Sequence, residues 1–248
     1  MQLNNDASER AEPDSGMARV AWCGREIVVK QGGGGVVGTG AVVSGSAETF
    51  LDFLQRRSVA GGNVLELGSG TGVVAIGLAA CGCSVVATDA RTNPHGCSTQ
   101  ALRNAALDTR PAKTRHATGS FSDLLQVIRH NAELNDDILR RAGGCLEVLP
   151  LLWRDRSQLA SVLQHQGEKG FDFIVGCNVT YQPASYPDLM HVLSAASFPR
   201  TKIFLANTDC LGDNQELARV AKEYNITVEK VLHNDDTFTE ILELTIVY

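Results

Sequence analysis

The sequence has little that would point to a membrane, a nucleic acid or a metal. Its apolar stretch Val73–Cys81 is far shorter than the roughly 18–20 residues of a membrane-spanning helix, so we expect no membrane partner. The 28 acidic residues outnumber the 22 basic ones and give a net charge of −6, which disfavours a nucleic-acid partner. The six histidines show no spacing typical of a metal site, so no metal is expected.

The cysteines also lack a pattern. There are seven of them, an odd number, and no two form a CxxC pair. Cys81 and Cys83 are two positions apart, which suits neither a zinc knuckle nor a redox motif. Residues 1–16 are polar and lack the apolar core of a secretory signal. We therefore expect reduced thiols in a cytoplasmic protein, and a nuclear location stays open.

What the sequence does contain is the composition of one α/β domain. Its 248 residues are 44% apolar and 20% charged, which suffices for a sizeable core and matches the length of a single domain. We expect a disordered tail over residues 1–16 and one domain over residues 17–248. Residues 90–120 are polar and contain Pro94 and Pro111, so they are interpreted as an inserted surface segment.

Strand and helix patterns alternate along the chain. Two short apolar runs around Cys23-Gly24 predict an N-terminal β-hairpin. Asn63–Leu67, a glycine turn, the helical stretch Val73–Cys81 and the strand Ser84–Thr88 form a βαβ unit, which predicts parallel strands. Five more strands are predicted, at Cys145–Leu149, Phe171–Cys177, Lys202–Ala206, Ile226–Leu232 and Glu240–Val247. The expected fold is α/β and Rossmann-like: a seven-stranded, mostly parallel sheet with an antiparallel C-terminal strand and helices on both faces. Helical spacing predicts helices over Ala47–Gln55, Phe121–Leu134, Tyr186–Ala196 and Gln215–Tyr224.

The turn of the βαβ unit has the sequence LELGSGTG over residues 65–72. Glycines here permit a tight bend and a close approach of a ligand to the backbone. In a dinucleotide-binding GxGxxG turn the third glycine comes one residue later than Gly72, and no Lys or Arg is present to meet a pyrophosphate. Glu66 lies just before the turn, and Asp89 ends the next strand, where a carboxylate can accept both hydroxyls of a ribose. This pattern favours a different nucleoside over a dinucleotide or a purely structural turn.

In this turn the chain resembles the seven-strand S-adenosylmethionine (SAM) methyltransferases, whose first motif is ExGxGxG. Glu66, Gly68, Gly70 and Gly72 match that motif. From about Arg25 to Val247 the chain also resembles methyltransferase family 16, whose members mostly act on protein lysines. The matching segments are FSDLLQVIRHNAELN at 121–135, a helix ending in NxxxN; LPLLW at 149–153, a strand ending in Leu-x-Trp; and FDFIVGCNVTY at 171–181.

The resemblance implies SAM as the cofactor and assigns residues to it. The backbone of Gly68, Ser69 and Gly70 is expected near the methionine part of SAM. Asp89 is expected on the ribose, and Trp153 beside the adenine. Cys177 is expected beside the sulfonium, where its backbone matters more than its thiol, since no base for a nucleophilic cysteine is evident.

The resemblance makes Asn178 and Tyr181 the catalytic residues, which would hold the acceptor amine. The chain departs from the family here, because Asn178 stands where the family has the aspartate of an Asp-x-x-Tyr motif. The change removes a negative charge thought to grip a lysine ammonium, although the amide oxygen can still accept one N–H bond. A second departure is Val43, which stands where the family has a tryptophan near the cofactor.

The sequence therefore predicts a SAM-dependent methyltransferase that N-methylates a lysine of a protein substrate. Two alternatives stay open. The departures at Asn178 and Val43 favour a SAM-binding pseudoenzyme that acts as an interaction module. The pair Asn178 and Tyr181 also resembles the Asn-Pro-Pro-Tyr motif of enzymes that methylate an amide or an exocyclic amine, although both prolines are missing.

Overall fold

A computed structural model of the chain describes residues 16–31, 42–90, 123–166, 170–208 and 214–248. Almost all of the predicted tail and of the predicted insertion at 90–120 lies outside the described residues. Within the described part of the chain, no helix is both long and apolar enough to cross a bilayer.

The centre of the molecule is one seven-stranded sheet. Its strands are β3 (Asn63–Leu67), β4 (Ser84–Asp89), β5 (Cys145–Pro150), β6 (Phe173–Cys177), β7 (Lys202–Thr208), β8 (Ile226–Asn234) and β9 (Thr239–Ile246). They are ordered β5-β4-β3-β6-β7-β9-β8, and only β9 runs antiparallel to its neighbours. The chain extends the sheet from β3 to β5 on one side and resumes at β6 on the other, which creates a switch point between β3 and β6. The predicted fold class is confirmed.

Helices cover both faces of this sheet. In the described part of the chain they are α1 (Gly45–Arg56), α2 (Val73–Ala79), α3 (Leu124–Leu134), α4 (Asp136–Ala142), α5 (Arg156–Gln164), α6 (Tyr186–Ala196) and α7 (Asn214–Glu223), with a 3₁₀ turn at Pro183–Ser185. Successive side chains of a strand point to opposite faces of the sheet and so enter two different apolar layers. In β7, for example, Phe204 packs on the side of α1 and α2, and Leu205 packs on the side of α6 and α7. Neither α4 nor α5 is among the helices predicted from the sequence. The latter begins where the Asp155 side chain accepts the N–H groups of Ser157 and Gln158.

The predicted hairpin consists of β1 (Met17–Trp22) and β2 (Arg25–Lys30). The two buried asparagines of the NxxxN pair, Asn131 in α3 and Asn135 just after it, attach the hairpin to the domain. Asn131 accepts the Lys30 N–H at 2.7 Å and donates to the Lys30 carbonyl at 3.0 Å. Asn135 bonds the N–H and carbonyl of Val28 in the same way, at 3.0 and 2.7 Å. Each side-chain amide thus takes the place of a neighbouring strand along β2.

Candidate functional site

Every predicted site residue lies beyond or at the carboxyl end of a parallel strand. The glycine turn follows β3, Asp89 is the last residue of β4, Trp153 follows β5, Cys177 is the last residue of β6, and Asn178 and Tyr181 come directly after it. Because parallel strands end at the same edge, the sheet brings these residues to one side of the molecule. This edge includes the switch point between β3 and β6.

Left-handed backbone shapes the glycine turn. Gly68, Gly70 and Gly72 have φ angles of 65°, 56° and 80°. A Cβ atom on Gly68 would lie 2.7 Å from Cγ1 of Val179, and one on Gly72 would lie 2.9 Å from Cγ2 of Ile128. Both the conformation and the lack of space therefore require glycine at 68 and 72. The missing side chains let Val179 and Ile128 pack directly against the turn.

Hydrogen bonds fasten the turn to β4. The Ser69 N–H donates to the Thr88 carbonyl at 2.9 Å, and the Thr88 hydroxyl donates to the Glu66 carbonyl at 2.7 Å. The Gly70 N–H donates to Oδ2 of Asp89 at 2.8 Å. On the other side, Asn131 donates to the Thr71 carbonyl at 2.8 Å. The turn is therefore held in shape before any ligand binds, which lowers the entropy cost of binding.

Asp89 is the carboxylate predicted to hold a ribose. It is half-buried, and its second oxygen, Oδ1, accepts the Ala90 N–H at 2.7 Å. Burial raises the pKa of Asp89 to about 6, while the N–H bonds from Gly70 and Ala90 counteract that rise and the Asp123 carboxylate adds to it. Each oxygen accepts a single hydrogen bond among the described residues, so lone pairs are left for ribose hydroxyls.

Glu66 carries the clearest sign of a missing partner. Its side chain is only 1% exposed, and burial raises its pKa to about 7, with a further contribution from Asp89. The Ser69 hydroxyl and the Ala75 N–H offset part of that rise. Oε2 of Glu66 and Oγ of Ser69 are both buried without a hydrogen-bond partner of good geometry among the described residues. Such orphaned oxygens fit the ammonium of the SAM methionine, which supplies the donors that the protein itself does not.

Trp153 lies in the segment that follows β5, two residues after Leu151. The Leu151 N–H donates to the Asp89 carbonyl at 2.9 Å, which fixes the segment after β5 against the end of β4. The indole of Trp153 is half-buried and packs against the apolar layer that contains Leu67. A partly open aromatic surface is able to stack on a purine base, and the contact of Trp153 with the adenine stays a prediction.

Cys177 does not have the properties of a nucleophile. Burial raises the pKa of its thiol to about 12, with a smaller contribution from Glu66, so the thiol is protonated at neutral pH. Its sulfur donates to the Ser46 hydroxyl at 3.8 Å. The position of the Cys177 backbone beside the sulfonium stays a prediction.

Asn178 is the centre of a hydrogen-bond cluster that joins three elements. Its Nδ2 donates to the hydroxyls of Ser44 and Ser46, at 3.0 and 2.8 Å, just before and within the first turn of α1. Its Oδ1 accepts the Thr208 N–H at 2.9 Å and the Thr208 hydroxyl at 3.2 Å, at the end of β7. Its backbone is left-handed, with φ of 55°, and its N–H donates to the Ala206 carbonyl.

These bonds use the whole capacity of the Asn178 amide, which is two donors and two acceptor positions. The Thr208 N–H can only donate, so the oxygen must face β7, and exchanging oxygen and nitrogen would break the cluster. The sequence-based hypothesis gave this oxygen to the acceptor amine. In the structure it is occupied by Thr208, and the side chain connects β6, β7 and α1.

The other predicted and missed residues lie around this cluster. Tyr181 is 38% exposed, on the outer side of the segment after β6. Val43 is half-buried against the apolar layer under α1, and its N–H donates to Gln31 at 3.0 Å. Sequence patterns did not indicate Ser44, Ser46 or Thr208, since a short hydroxyl side chain carries no motif of its own. No group of His, Cys, Asp or Glu in the described ranges has the arrangement of a metal site.

The chain is similar to known methyltransferases in sequence. A family profile with the description "Methyltransferase domain" matches residues 44–229, which is three quarters of the chain. EEF1A lysine methyltransferase 3 of Mus musculus is 25% identical over 192 residues, covering 77% of this chain and 65% of that protein. The Xenopus tropicalis protein of the same name is 24% identical over 189 residues, covering 75% and 66%. The chain thus spans just under two thirds of the length of these relatives.

The fold is also similar to solved structures. A ribosomal RNA methyltransferase of T. thermophilus, in complex with AdoMet and guanosine, has a TM-score of 0.58 at 16% identity. The match covers 93% of this chain and 50% of that protein. Magnesium protoporphyrin IX methyltransferase of Synechocystis PCC 6803 with bound SAM has a TM-score of 0.52 at 12% identity, covering 82% and 78%. At such identities the likeness concerns the fold alone.

Proposed function

The chain belongs to the methyltransferase-domain family and its cofactor is SAM; on this premise we propose that it N-methylates a lysine side chain of a protein substrate. The observation that carries the proposal is the match, over about three quarters of this chain, to two proteins named as lysine methyltransferases. The net charge of −6 supports it, because an acidic protein attracts a basic substrate segment.

The cofactor supplies a methyl group on a positively charged sulfur, so the protein has to deliver a neutral amine in line with it. We assign the cofactor to the glycine turn, Glu66, Asp89 and Trp153. A lysine with an ordinary pKa of about 10.4 must lose its proton first. Burial against apolar groups such as Val179, which is 5% exposed, lowers the pKa of an amine by penalising its charged form.

In this proposal Asn178 is a positioning residue. It fixes the segment after β6 to β7 and α1, and that segment carries Val179 over the glycine turn and Tyr181 toward solvent. Tyr181 then contacts the substrate at the rim of the site. An aspartate could occupy position 178 equally well, because the Ser44 and Ser46 hydroxyls can rotate to donate to it. The departure from the family motif is therefore compatible with turnover.

A second candidate function is N-methylation of an amide or an exocyclic amine. The pairing of Asn178 with Tyr181 favours it, but that chemistry needs an amide oxygen free to accept from the substrate, and Thr208 occupies this oxygen. We therefore place it second. A SAM-binding pseudoenzyme shares the same cofactor site and differs only in the absence of turnover.

The experiment is methyl transfer from SAM with a labelled methyl group. The purified chain is incubated first with recombinant EEF1A and then with a lysate of the cells that express it, either untreated or treated with ribonuclease. Labelled protein is digested and the modified residue is identified by mass spectrometry. The Asp89→Ala variant serves as the control that lacks a ribose contact.

Methyl-lysine that appears with the natural chain and fades with Asp89→Ala supports the proposal. Label on glutamine, on asparagine or in ribonuclease-sensitive material contradicts it in favour of the second candidate. SAM binding without label in any fraction contradicts it in favour of the pseudoenzyme.

A further inference from the structure

Two thiols that lie far apart in the sequence lie side by side in the fold. Sγ of Cys23 and Sγ of Cys81 are 3.1 Å apart, although 58 positions separate the two residues. Neither cysteine forms a disulfide; Cys23 is exposed and Cys81 is half-buried. We propose that Cys23 and Cys81 are a modification site, at which exchange with a low-molecular-weight disulfide such as glutathione disulfide forms a reversible cross-link.

The backbone around Cys23 holds its thiol in this place. The pair Trp22 and Arg25 closes the hairpin, so Cys23 and Gly24 are its two turn residues. Their φ angles are 51° and 69°, as in the tight turns that match the strand twist. Such a turn favours Asn, Asp or Gly at its first position, and cysteine there costs conformational energy. The turn aims an exposed thiol at the end of α2 and leaves it open to solvent.

Cys81 lies just after α2, and its N–H donates to the Leu78 carbonyl at 2.9 Å. Burial raises the pKa of its thiol to about 12, with a contribution from Cys23. Cys23, as the exposed partner, is thus the thiol that a small disulfide reaches first, and Cys81 is the resolving thiol.

The exchange balances in two steps. The Cys23 thiolate attacks one sulfur of the disulfide RSSR, which breaks its S–S bond, forms a mixed disulfide and releases one thiolate. Cys81 then loses its proton and attacks Sγ of Cys23, which forms the Cys23–Cys81 bond and releases the second thiolate. Overall the two cysteines are oxidised by two electrons, and RSSR is reduced to two RSH.

The cross-link would connect the hairpin to the helix that starts at the cofactor turn. Gly72 caps the N-terminus of α2, and Cys81 follows its C-terminus. At the other end of the hairpin, Asn131 already ties Lys30 to Thr71 of the glycine turn. A bond at Cys23 therefore adds an attachment at the turn end of the hairpin. Since it also closes a long loop in the unfolded chain, it is expected to raise the Tm by roughly 5–10 °C.

The test uses the full chain equilibrated in glutathione buffers of increasing oxidised fraction, with and without urea. After alkylation of free thiols, digestion and mass spectrometry without reduction, the expected product is one cross-linked peptide that contains Cys23 and Cys81 and lacks two hydrogens. Its formation constant in the native protein should be at least tenfold larger than in urea, because folding brings the thiols together. Cys23→Ser should abolish both the peptide and the rise in Tm. Cys145→Ser, which removes another exposed thiol, should leave both unchanged.

Three outcomes would overturn the proposal. The first is the absence of the Cys23–Cys81 peptide at any glutathione ratio in protein that still melts cooperatively. The second is a cross-link from Cys23 to another cysteine in the native protein. The third is a formation constant no larger in the native protein than in urea. None of these measurements depends on methyl transfer, so they stand apart from the proposed function.

Discussion

The two halves of the site are built in opposite ways. On the side of β3 and β4, the hydrogen bonds that fasten the glycine turn to β4 all lie within residues 66–89, inside one βαβ unit. On the side of β6, the contacts of Asn178 reach residues 134 positions before it and 30 positions after it. The first half forms from a local pattern, and the second exists only once the whole sheet is assembled.

This difference indicates which half tolerates change. Backbone conformation and lack of space fix the glycine turn, so few side chains are compatible with it. The cluster around Asn178 consists of hydroxyls that can donate or accept, so a change of hydrogen-bond character at one member can be absorbed by rotating the others. Substitutions that separate strain, charge and hydrogen bonding test this contrast.

The largest effect is expected for Gly68→Ala. It places a Cβ atom at a φ of 65° and 2.7 Å from Cγ1 of Val179. Left-handed strain and crowding together should lower the free energy of unfolding by about 2–4 kcal/mol and weaken SAM binding. Urea unfolding measures the first effect and calorimetry the second.

A matched control separates the two causes. Gly143 has a φ of 70°, and no atom of the described residues lies within 4 Å of the place that a Cβ atom would take there. Gly143→Ala therefore carries the conformational cost alone, about 1–2 kcal/mol. Adding Val179→Ala to Gly68→Ala should recover the part of the lost unfolding free energy that is due to crowding. Equal losses in Gly68→Ala and Gly143→Ala would show that crowding by Val179 is not part of the turn.

A pH dependence comes next in size. Burial holds the pKa of Glu66 at about 7, above its ordinary value of 4.5, so between those two pH values the folded protein binds more protons than the unfolded chain. Its contribution to stability is therefore complete below pH 4.5 and is lost as the pH rises to 7, a fall of about 2–3 kcal/mol.

The measurement compares urea unfolding of the natural chain and of Glu66→Gln, both without cofactor, from pH 4.5 to 7.5. Glutamine cannot ionise, so the variant should show a smaller fall, and the part that remains is due to the other carboxylates, including Asp89 with its raised pKa. Parallel curves for the two proteins would contradict the assignment of a raised pKa to Glu66.

The smallest effects concern Asn178. Asn178→Ala leaves the Thr208 N–H without its acceptor and places alanine at a φ of 55°, which should cost about 2 kcal/mol. Asn178→Asp keeps an oxygen that accepts both the N–H and the hydroxyl of Thr208, so it should lower the free energy of unfolding by less than about 1 kcal/mol. Asn225→Ala is the control for backbone strain, since Asn225 has a φ of 56° and its side chain makes no hydrogen bond among the described residues. Equal costs for Asn178→Ala and Asn178→Asp would contradict the cluster.

Much of the fold follows from patterns that the sequence shows directly. The strands Asn63–Leu67 and Ser84–Asp89 could be located because they are short apolar runs bounded by glycine and a carboxylate. Glu66 and the three glycines could be recognised because their spacing is fixed by backbone geometry within one turn. The short helix α5 was not predicted, since its helical signal is the Asp155 cap and not a broad apolar face.

What could not be predicted depends on contacts between distant segments. Nothing in the sequence around Ser44 and Ser46 indicates that α1 starts beside Asn178, because that contact is created by the order of the strands. The same holds for Cys23 and Cys81, whose spacing matches no motif. The NxxxN pair was visible as a pattern, but its role in holding the hairpin is apparent only from the contacts of Asn131 and Asn135.

The most direct test of the contrast between the two halves is the affinity for SAM, measured by calorimetry on folded Asp89→Ala and Asn178→Ala. Asp89→Ala removes charge-assisted contacts to the ribose and should weaken SAM binding at least roughly tenfold. Asp172→Ala, which removes a carboxylate at the opposite end of the sheet, controls for loss of charge. Asn178→Ala should bind SAM within about threefold of the natural chain, since the Asn178 side chain bonds α1 and β7 and not the glycine turn. A large loss with Asn178→Ala together with an unchanged affinity in Asp89→Ala would contradict the account.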